Sequence, residues 1–587
     1  MIGYHSVSVI ADAYLKGIRG FDAEKALSAM VATASRDARG LKDFRELGFL
    51  RGEKERESVS QTLEYAYDDW CIAQMAAAMG KNDVCTEFRR RARGWINLLD
   101  PRTGLFRPRM NGGFVDNFDP REVNFHFTEA NAWQYGFSAP QEFSLWSRWT
   151  RPERLLDSLF SQNSRTTGRD QADITGLIGQ YAHGNEPSHH IAYMYNLVGQ
   201  PWKTRGLVHT ILDSLYTDRP DGLSGNEDCG QMSAWFVMSA MGLYPLVPGS
   251  PYYALTAPFF SDITLQMPNG RNLRITAPCT DPSCGHVREV RLNGRKLDRM
   301  FVTHEEIVAG GTLEFLFGPE PVSFGSVAWP SEPTLCSVSF LNDVEPLLVP
   351  VPSIEGNKTF RGETEVSILH LFPTAEIRYT TDGSVPTAKS KRYVRPFFLK
   401  KNASVKAVAL YKGPRGWQSG QIAEAEFRRV EQSRAMRYEK GRYANQYDGG
   451  GGLCLLDGTR GPVDFRAGSW QGFEGEDISL VLDLGEAKNI RCAGLGCLED
   501  QNAWIFFPEK VRFEHSLDGV AYQPFGADAD HAAVATDDPL IKDFSAACPP
   551  VKVRYLRAVV TAQKKCPAWH KGAGGNAWLF VDEFWAE

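Results

Sequence analysis

The hydrophobic period of this chain changes once, and that change limits its fold more than any other feature. Up to about residue 245 apolar residues recur at helical spacing, as in Val7, Ile10, Ala11, Tyr14 and Ile18; from about Tyr252 onward they alternate as strands do. Helices so segregated from strands must pack on helices, and sheets on sheets. With 587 residues, 43% apolar and 12% aromatic, the chain is long enough for three or four such units.

Within the helical part, Asp22 is placed to cap a helix carrying Ala26, Leu27, Met30 and Val31, with Phe21 as its staple, and Ser58-x-x-Gln61 reads as a capping box. Further helices are expected near 82–97, 152–161, 188–198, 202–215 and 230–242. Beyond it, alternation at Ile263–Met267, Leu273–Thr276, Val287–Leu292 and Thr312–Phe317 predicts strands, with turns at Asn269-Gly270 and Asn293-Gly294. The Pro- and Ser-rich stretch from Pro330 to Pro352 reads as a linker into a small β-sandwich, and a charged segment near 431–440 leads to a last, jelly-roll-like unit. The expected division is 1–250, 251–330, 336–430 and 441–587.

A formal charge of −6 without long runs of one sign gives no nucleic-acid face and no polybasic anchor. Eleven cysteines, with no C-x-x-C pair, read as mostly free packed thiols. No apolar run approaches the ~18 residues of a transmembrane segment, and the first residues lack the pattern of a signal peptide. A neutral, polar ligand fits these properties.

Three stretches place carboxylates among glycines, amides and aromatics: Phe127–Trp133, Gly184–His190 and Gly225–Ser233. Cleavage of a glycosidic bond needs one carboxylic acid to protonate the leaving oxygen and usually a second carboxylate acting on water or on the sugar. Glu129, flanked by Phe125, Phe127 and Trp133, suits the acid, since apolar surroundings raise a carboxyl pKa. A helix-start role bonding backbone N–H groups is equally open to it. Asp228 and Glu227 stand between Gly225 and Gly230 ahead of an apolar helix; either Asp228 orients a water there, or it caps the helix. Asn185 and Glu186 offer oxygen ligands that suit calcium, while His189 and His190 fall outside the spacing of the zinc motif H-E-x-x-H. Of Asp68 and Asp69, about 100° apart on a helix, only one can face a shared site, leaving the other solvated. Trp470, Trp504, Trp569 and His570 of the last unit could stack on sugar rings or be buried.

Together with Met1–Gly17 and Thr62–Trp70, these stretches resemble the α-mannosidases of glycoside hydrolase family 92. The resemblance implies a mainly α, (α/α)6 toroidal catalytic domain, incomplete here, with a β subdomain and followed by two β-sandwich or jelly-roll domains. It implies exo-acting, inverting, calcium-assisted hydrolysis of α-linked mannose. Carried onto this chain, Glu129 is the general acid, Asp228 the general base and Glu227 a possible assisting carboxylate; Asn185, Glu186, His189, Asp69 and Trp133 bind substrate, and the calcium ligands stay unassigned. Unit 336–430 resembles the chitobiase C-terminal type of sandwich, through Ile377–Pro386, and the last unit resembles a discoidin or coagulation-factor C-type module. The implied partner is a mannose-containing glycan or glycoprotein in an extracytoplasmic, bacterial setting. The family usually has an N-terminal β-sandwich and more helices, so this chain is expected to begin inside the catalytic domain. An inactive remnant that only binds carbohydrate, or a toroidal glycosidase for another sugar, are the competing readings.

Overall fold

The computed structural model describes residues 2–278, 285–323, 348–413, 416–431 and 433–587. Helices α1 (Ser6–Leu15), α2 (Ala23–Ala34), α3 (Leu41–Leu47), α4 (Ser58–Ala78) and α5 (Asn82–Ala92) open the chain. All of α4 except Glu64, Tyr67 and Ala78 is buried, its Asp68 and Asp69 included. Its small residues Ala66, Ala73, Ala76 and Ala77 give its neighbours close approach, and α1, α2 and α5 all pack on it. Later come α6 (Phe143–Trp146), α7 (Pro152–Ser161), α8 (Pro201–Ser214) and α9 (Gln231–Ala240), separated by long loops. The segment expected as a helix at 188–198 forms 3-10 turns at Glu186–Ser188 and Ile191–Asn196 instead.

The caps differ in part from expectation. Asp22 does cap α2, accepting from Lys25 N at 3.0 Å, but Phe21 remains exposed rather than stapling it. Ser58 and Gln61 form no capping box: Gln61 Nε2 donates to Arg56 O, and Ser58 Oγ meets His126 Nδ1 at 3.3 Å. The helix start is thus tied to a distant loop, not to itself.

The alternating segments form a mixed five-stranded sheet in which Asn272–Thr276 and Gly311–Gly318 run parallel, beside a three-stranded sheet. Asn293-Gly294 makes the two-residue hairpin its residues favour, both with positive φ. These strands have their own core, which includes Leu273, Ile275, Val290 and Phe315. Most of the expected linker, at 330–347, lies outside the described residues.

From Ser353 to Arg429 two sheets, of three and six strands, face each other. Their core is continuous with that of the helices: Val351, Ile354, Val366 and Phe427 join the cluster that holds Trp95, Phe106 and Phe127. Asn111 and Glu426 exchange hydrogen bonds in both directions across this junction, at 2.9 and 2.7 Å. Arg109, itself buried, donates to Val351 O at 3.0 Å.

The last unit is an eight-stranded arrangement built on two 22-residue strands, Ile478–Glu499 and Leu540–Thr561, which pair along their length and shift register at bulges. Bulges bend strands and let one sheet curl around its own core, here made of Leu480, Leu482, Phe513 and Phe584 among others. The charged segment contributes a strand at Ala435–Lys440 that pairs with Ile478–Glu499, ahead of the expected start at 441. None of the eight cysteines among the described residues is in a disulfide. Among the described residues no helix is long and apolar enough to cross a membrane.

Candidate active site

Two of the three acid-bearing stretches meet through their glycines. A Cβ on Gly225 would sit 2.5 Å from Gly184 O, and one on Gly184 would collide with Thr175 Oγ1 and Ser224 O. The glycines therefore let two protein loops approach each other. A third loop, 171–176, is stitched in by Gly184 N to Thr175 O at 3.1 Å and by Asn226 Nδ2 to Asp173 Oδ1 at 3.3 Å.

The Glu129 loop joins the same group from another side. Asn185 Nδ2 donates to Glu129 O at 3.0 Å. Helix α4 holds it below, through Val59 N to His126 O at 3.1 Å and Thr128 N to Ser60 Oγ at 2.9 Å. Asn131 is buried, with its Oδ1 accepting from Trp133 N and its Nδ2 donating to Gln180.

Held this way, Glu129 has φ 50°, Asp228 φ 51° and Cys229 φ 57°, all in the left-handed region. Non-glycine residues there cost about 1–3 kcal/mol each, and such strain concentrates at functional sites. Neither acid caps a helix. The bonds to the start of α9 come from Glu227, whose carboxylate accepts from Gly230 N and Ser233 N. Asp228 is thereby left exposed and free of the capping role, and Glu227 is claimed by backbone rather than poised to assist catalysis.

Partial burial raises the pKa of Glu129, and the charges of Asp173, Glu57 and Asp228 add to it while a hydrogen bond from Asn185 opposes. Of its sequence-adjacent aromatics, Phe125 stacks on Tyr447 and Phe127 packs on Tyr135. Burial also raises the pKa of Glu186, and the neighbouring charge of Asp228 raises it further. Three of the expected residues, Glu129, Glu186 and Asp228, thus act on one another, with Asn185 between them.

Other expected residues lie elsewhere. His189 is buried, with Nε2 on His183 O at 2.9 Å and Nδ1 on Gln231 at 3.2 Å, so both ring nitrogens serve the scaffold rather than a substrate. Burial holds it neutral, its pKa lowered to about 4. His190 is likewise lowered to about 4 and bonded to Phe137 O. Asp69 is fully buried against Arg91 and Tyr4 Oη, each at 2.7 Å, which excludes it from sugar binding. Asp68 is not solvated either; it accepts from Tyr4 N at 2.7 Å and lies 3.7 Å from His5. Trp133 is half buried against the helical core.

Three acids escaped the sequence reading. Asp173 and Glu57 sit in loops with no periodicity to mark them, the latter at φ 53°. Glu64 lies 3.8 Å from His5, and burial raises its pKa to about 7. A charged residue in an otherwise buried helix was the signal for it. Among the described residues no group of three or more His, Cys, Asp or Glu side chains is arranged to hold a metal ion.

A family model described as the glycosyl hydrolase family 92 catalytic domain matches residues 1–319, and one described as Fn3 associated matches residues 369–416. The chain is similar to a family GH92 α-mannosidase from Bacteroides thetaiotaomicron, 39% identical with a TM-score of 0.53, over 58% of this chain and 48% of that one. That enzyme is also known in complex with mannoimidazole. A family GH92 inverting mannosidase from Bacteroides thetaiotaomicron VPI-5482 is 36% identical with a TM-score of 0.50, over 55% and 46% of the two chains. Among curated proteins, an uncharacterized secreted glycosidase from Arthroderma benhamiae is 27% identical over 362 residues, 55% of this chain and 46% of that protein. The chain spans about half the length of these relatives.

Proposed function

The chain belongs to glycoside hydrolase family 92, and from that membership we propose that it is an exo-acting α-mannosidase whose general acid is Glu129 and whose general base is Asp228. The observation that carries this reading is the meeting of Glu129, Glu186 and Asp228 on separate loops, the first and last held in left-handed backbone. Glu129, with its raised pKa, holds a proton for the glycosidic oxygen at pH values where an ordinary glutamate has lost it. Asp228, exposed and relieved of capping by Glu227, takes the proton of the attacking water. Inversion requires the two carboxyl groups to stand ~6.5–9.5 Å apart, leaving room for that water. Asn185 fixes the acid loop, and Glu186 faces the sugar. The helices then form part of an (α/α)6 toroid around this point.

The donor set near Asn185 and Glu186 is oxygen-rich and anionic, which fits calcium better than zinc. Asp228 raises the pKa of the Glu186 carboxyl, so two acidic side chains stand near each other there, a surrounding that suits a cation. Glu186 and Asn185 would hold the ion, with loop carbonyls supplying the remainder. When bound, calcium would hold mannose hydroxyls and favour a distorted ring.

Units 353–429 and 435–587 are read as a chitobiase-type sandwich and a discoidin-like sugar-binding jelly roll. For the latter the support is Trp504, an exposed tryptophan at φ 64°, and its exposed neighbour Trp569. Trp470 is buried on Pro462 O and His570 on Gln501 O, which removes both from that role. The same exposed tryptophans favour the second reading, a protein that binds glycan without cleaving it. An extracytoplasmic location accords with the secreted relative.

Proton NMR of the first product separates these readings. Early release of β-mannose from an α-mannoside is the expected result; α-mannose as the first anomer would contradict the inverting pair.

A further inference from the structure

A cleft of about 1630 Å³ lies where the helical part, unit 353–429 and the last unit meet. Its helical wall includes Phe125 and His126, four and three residues before Glu129, and Arg169, which feels the charge of Glu129. Lys358 and Glu424 line it from the middle unit, Asn445 and Gln446 from the last. The last unit is fastened at this place: Tyr447 stacks on Phe125 at 5.6 Å and 15°, Phe465 packs edge-on against the same ring, and the Arg169 guanidinium lies 5.0 Å over it.

A general acid must face the glycosidic oxygen, so the leaving part of the substrate lies on its side of the site. The cleft adjoins the Glu129 loop and exceeds the ~300–1,000 Å³ of pockets for small molecules. Its walls carry both signs of charge beside hydrogen-bonding side chains, which suits a neutral polyhydroxylated chain over an ion. We propose that this cleft is the leaving-group subsite, holding the remainder of a neutral oligosaccharide while its terminal sugar lies at Glu129, and that loop 444–454 of the last unit is its outer wall. The inference rests on the glycosidase reading of Glu129 and adds to it a role for the last unit inside the catalytic cleft.

The test uses the full chain and two variants of exposed wall residues, Asn445→Ala/Gln446→Ala and the obstructing Gln446→Trp. The quantity read is the ratio of kcat/KM on an α-oligomannoside to that on an aryl α-mannoside, which lacks the extended leaving group. It should fall at least tenfold in both variants; an unchanged ratio in both overturns the proposal. Calorimetric binding of the oligomannoside to the Glu129→Gln chain, with and without Gln446→Trp, is the second arm. If the wild-type chain cleaves neither substrate, the hydrolase reading fails and binding alone decides. Binding abolished by Gln446→Trp upholds the cleft as a glycan site; binding absent, or unaffected by that change, overturns it and leaves the cleft to polypeptide packing.

Discussion

Glu129 and Asp228 share a backbone conformation that neither residue favours; a distant side chain, Asn185, holds Glu129, and a local turn holds Asp228. For Glu129 the expected consequence of Glu129→Gln is a loss of about 10²–10⁴ in kcat on substrates with poor leaving groups, with activated aryl mannosides spared. Steady-state kinetics on both classes checks it, and equal loss on both would remove Glu129 from the acid's role. For His190, burial lowers the pKa from the ordinary value to about 4. A depressed folded pKa contributes stability that is present above the unfolded value near 6.5 and lost as pH falls through about 4. NMR should show this imidazole neutral at pH 5.5, and a midpoint near 6.5 would contradict its burial. The sequence offered Asp228 as the cap of α9, the residue type that ordinarily takes this place, and the structure gives the bonds to Glu227 instead. The left-handed turn at Asp228-Cys229 brings Glu227 back onto the helix start and decides between them. His189 was misread for a related reason, since its partner Gln231 lies 42 positions away.

Elements were more legible than their caps. The period of 3.6 located α1, α2, α4, α5, α7, α8 and α9, and the period of two located the strands Asp262–Gln266, Asn272–Thr276, His286–Leu292 and Gly311–Gly318. Local patterning cannot report which loop a helix start will grasp, as Ser58 with His126 shows. Within the α4 and α5 pair, the ion pair Asp69–Arg91 is buried on both sides. Asp69→Ala leaves a buried guanidinium uncompensated, a change worth about 3–5 kcal/mol; urea unfolding should show that loss, and a value under 1 kcal/mol would refute the structural role. At the meeting of the two glycine loops, Gly225→Ala adds a Cβ that meets Gly184 O in a residue with φ 108°. It should destabilise the chain by more than ~1 kcal/mol and reduce turnover as well, because Asp228 and Glu186 ride on the two loops it separates. Unaltered kcat and melting temperature would show that the loops are not coupled.

For the whole molecule, the order of helical and β segments was written in the sequence, yet the joining of the units was not. Asn111 with Glu426 and Phe125 with Tyr447 are contacts between residues more than 300 positions apart, which no local pattern reports. They bring the two β units against the loop that bears Glu129. The central claim is that the loops so assembled form a mannose-cleaving centre assisted by calcium. The measurement that tests it is mannose release from an α-mannoside by the folded chain, before and after a chelator and again with calcium restored. The account predicts release that chelation abolishes and calcium recovers; folded protein that releases no mannose with calcium present would contradict it.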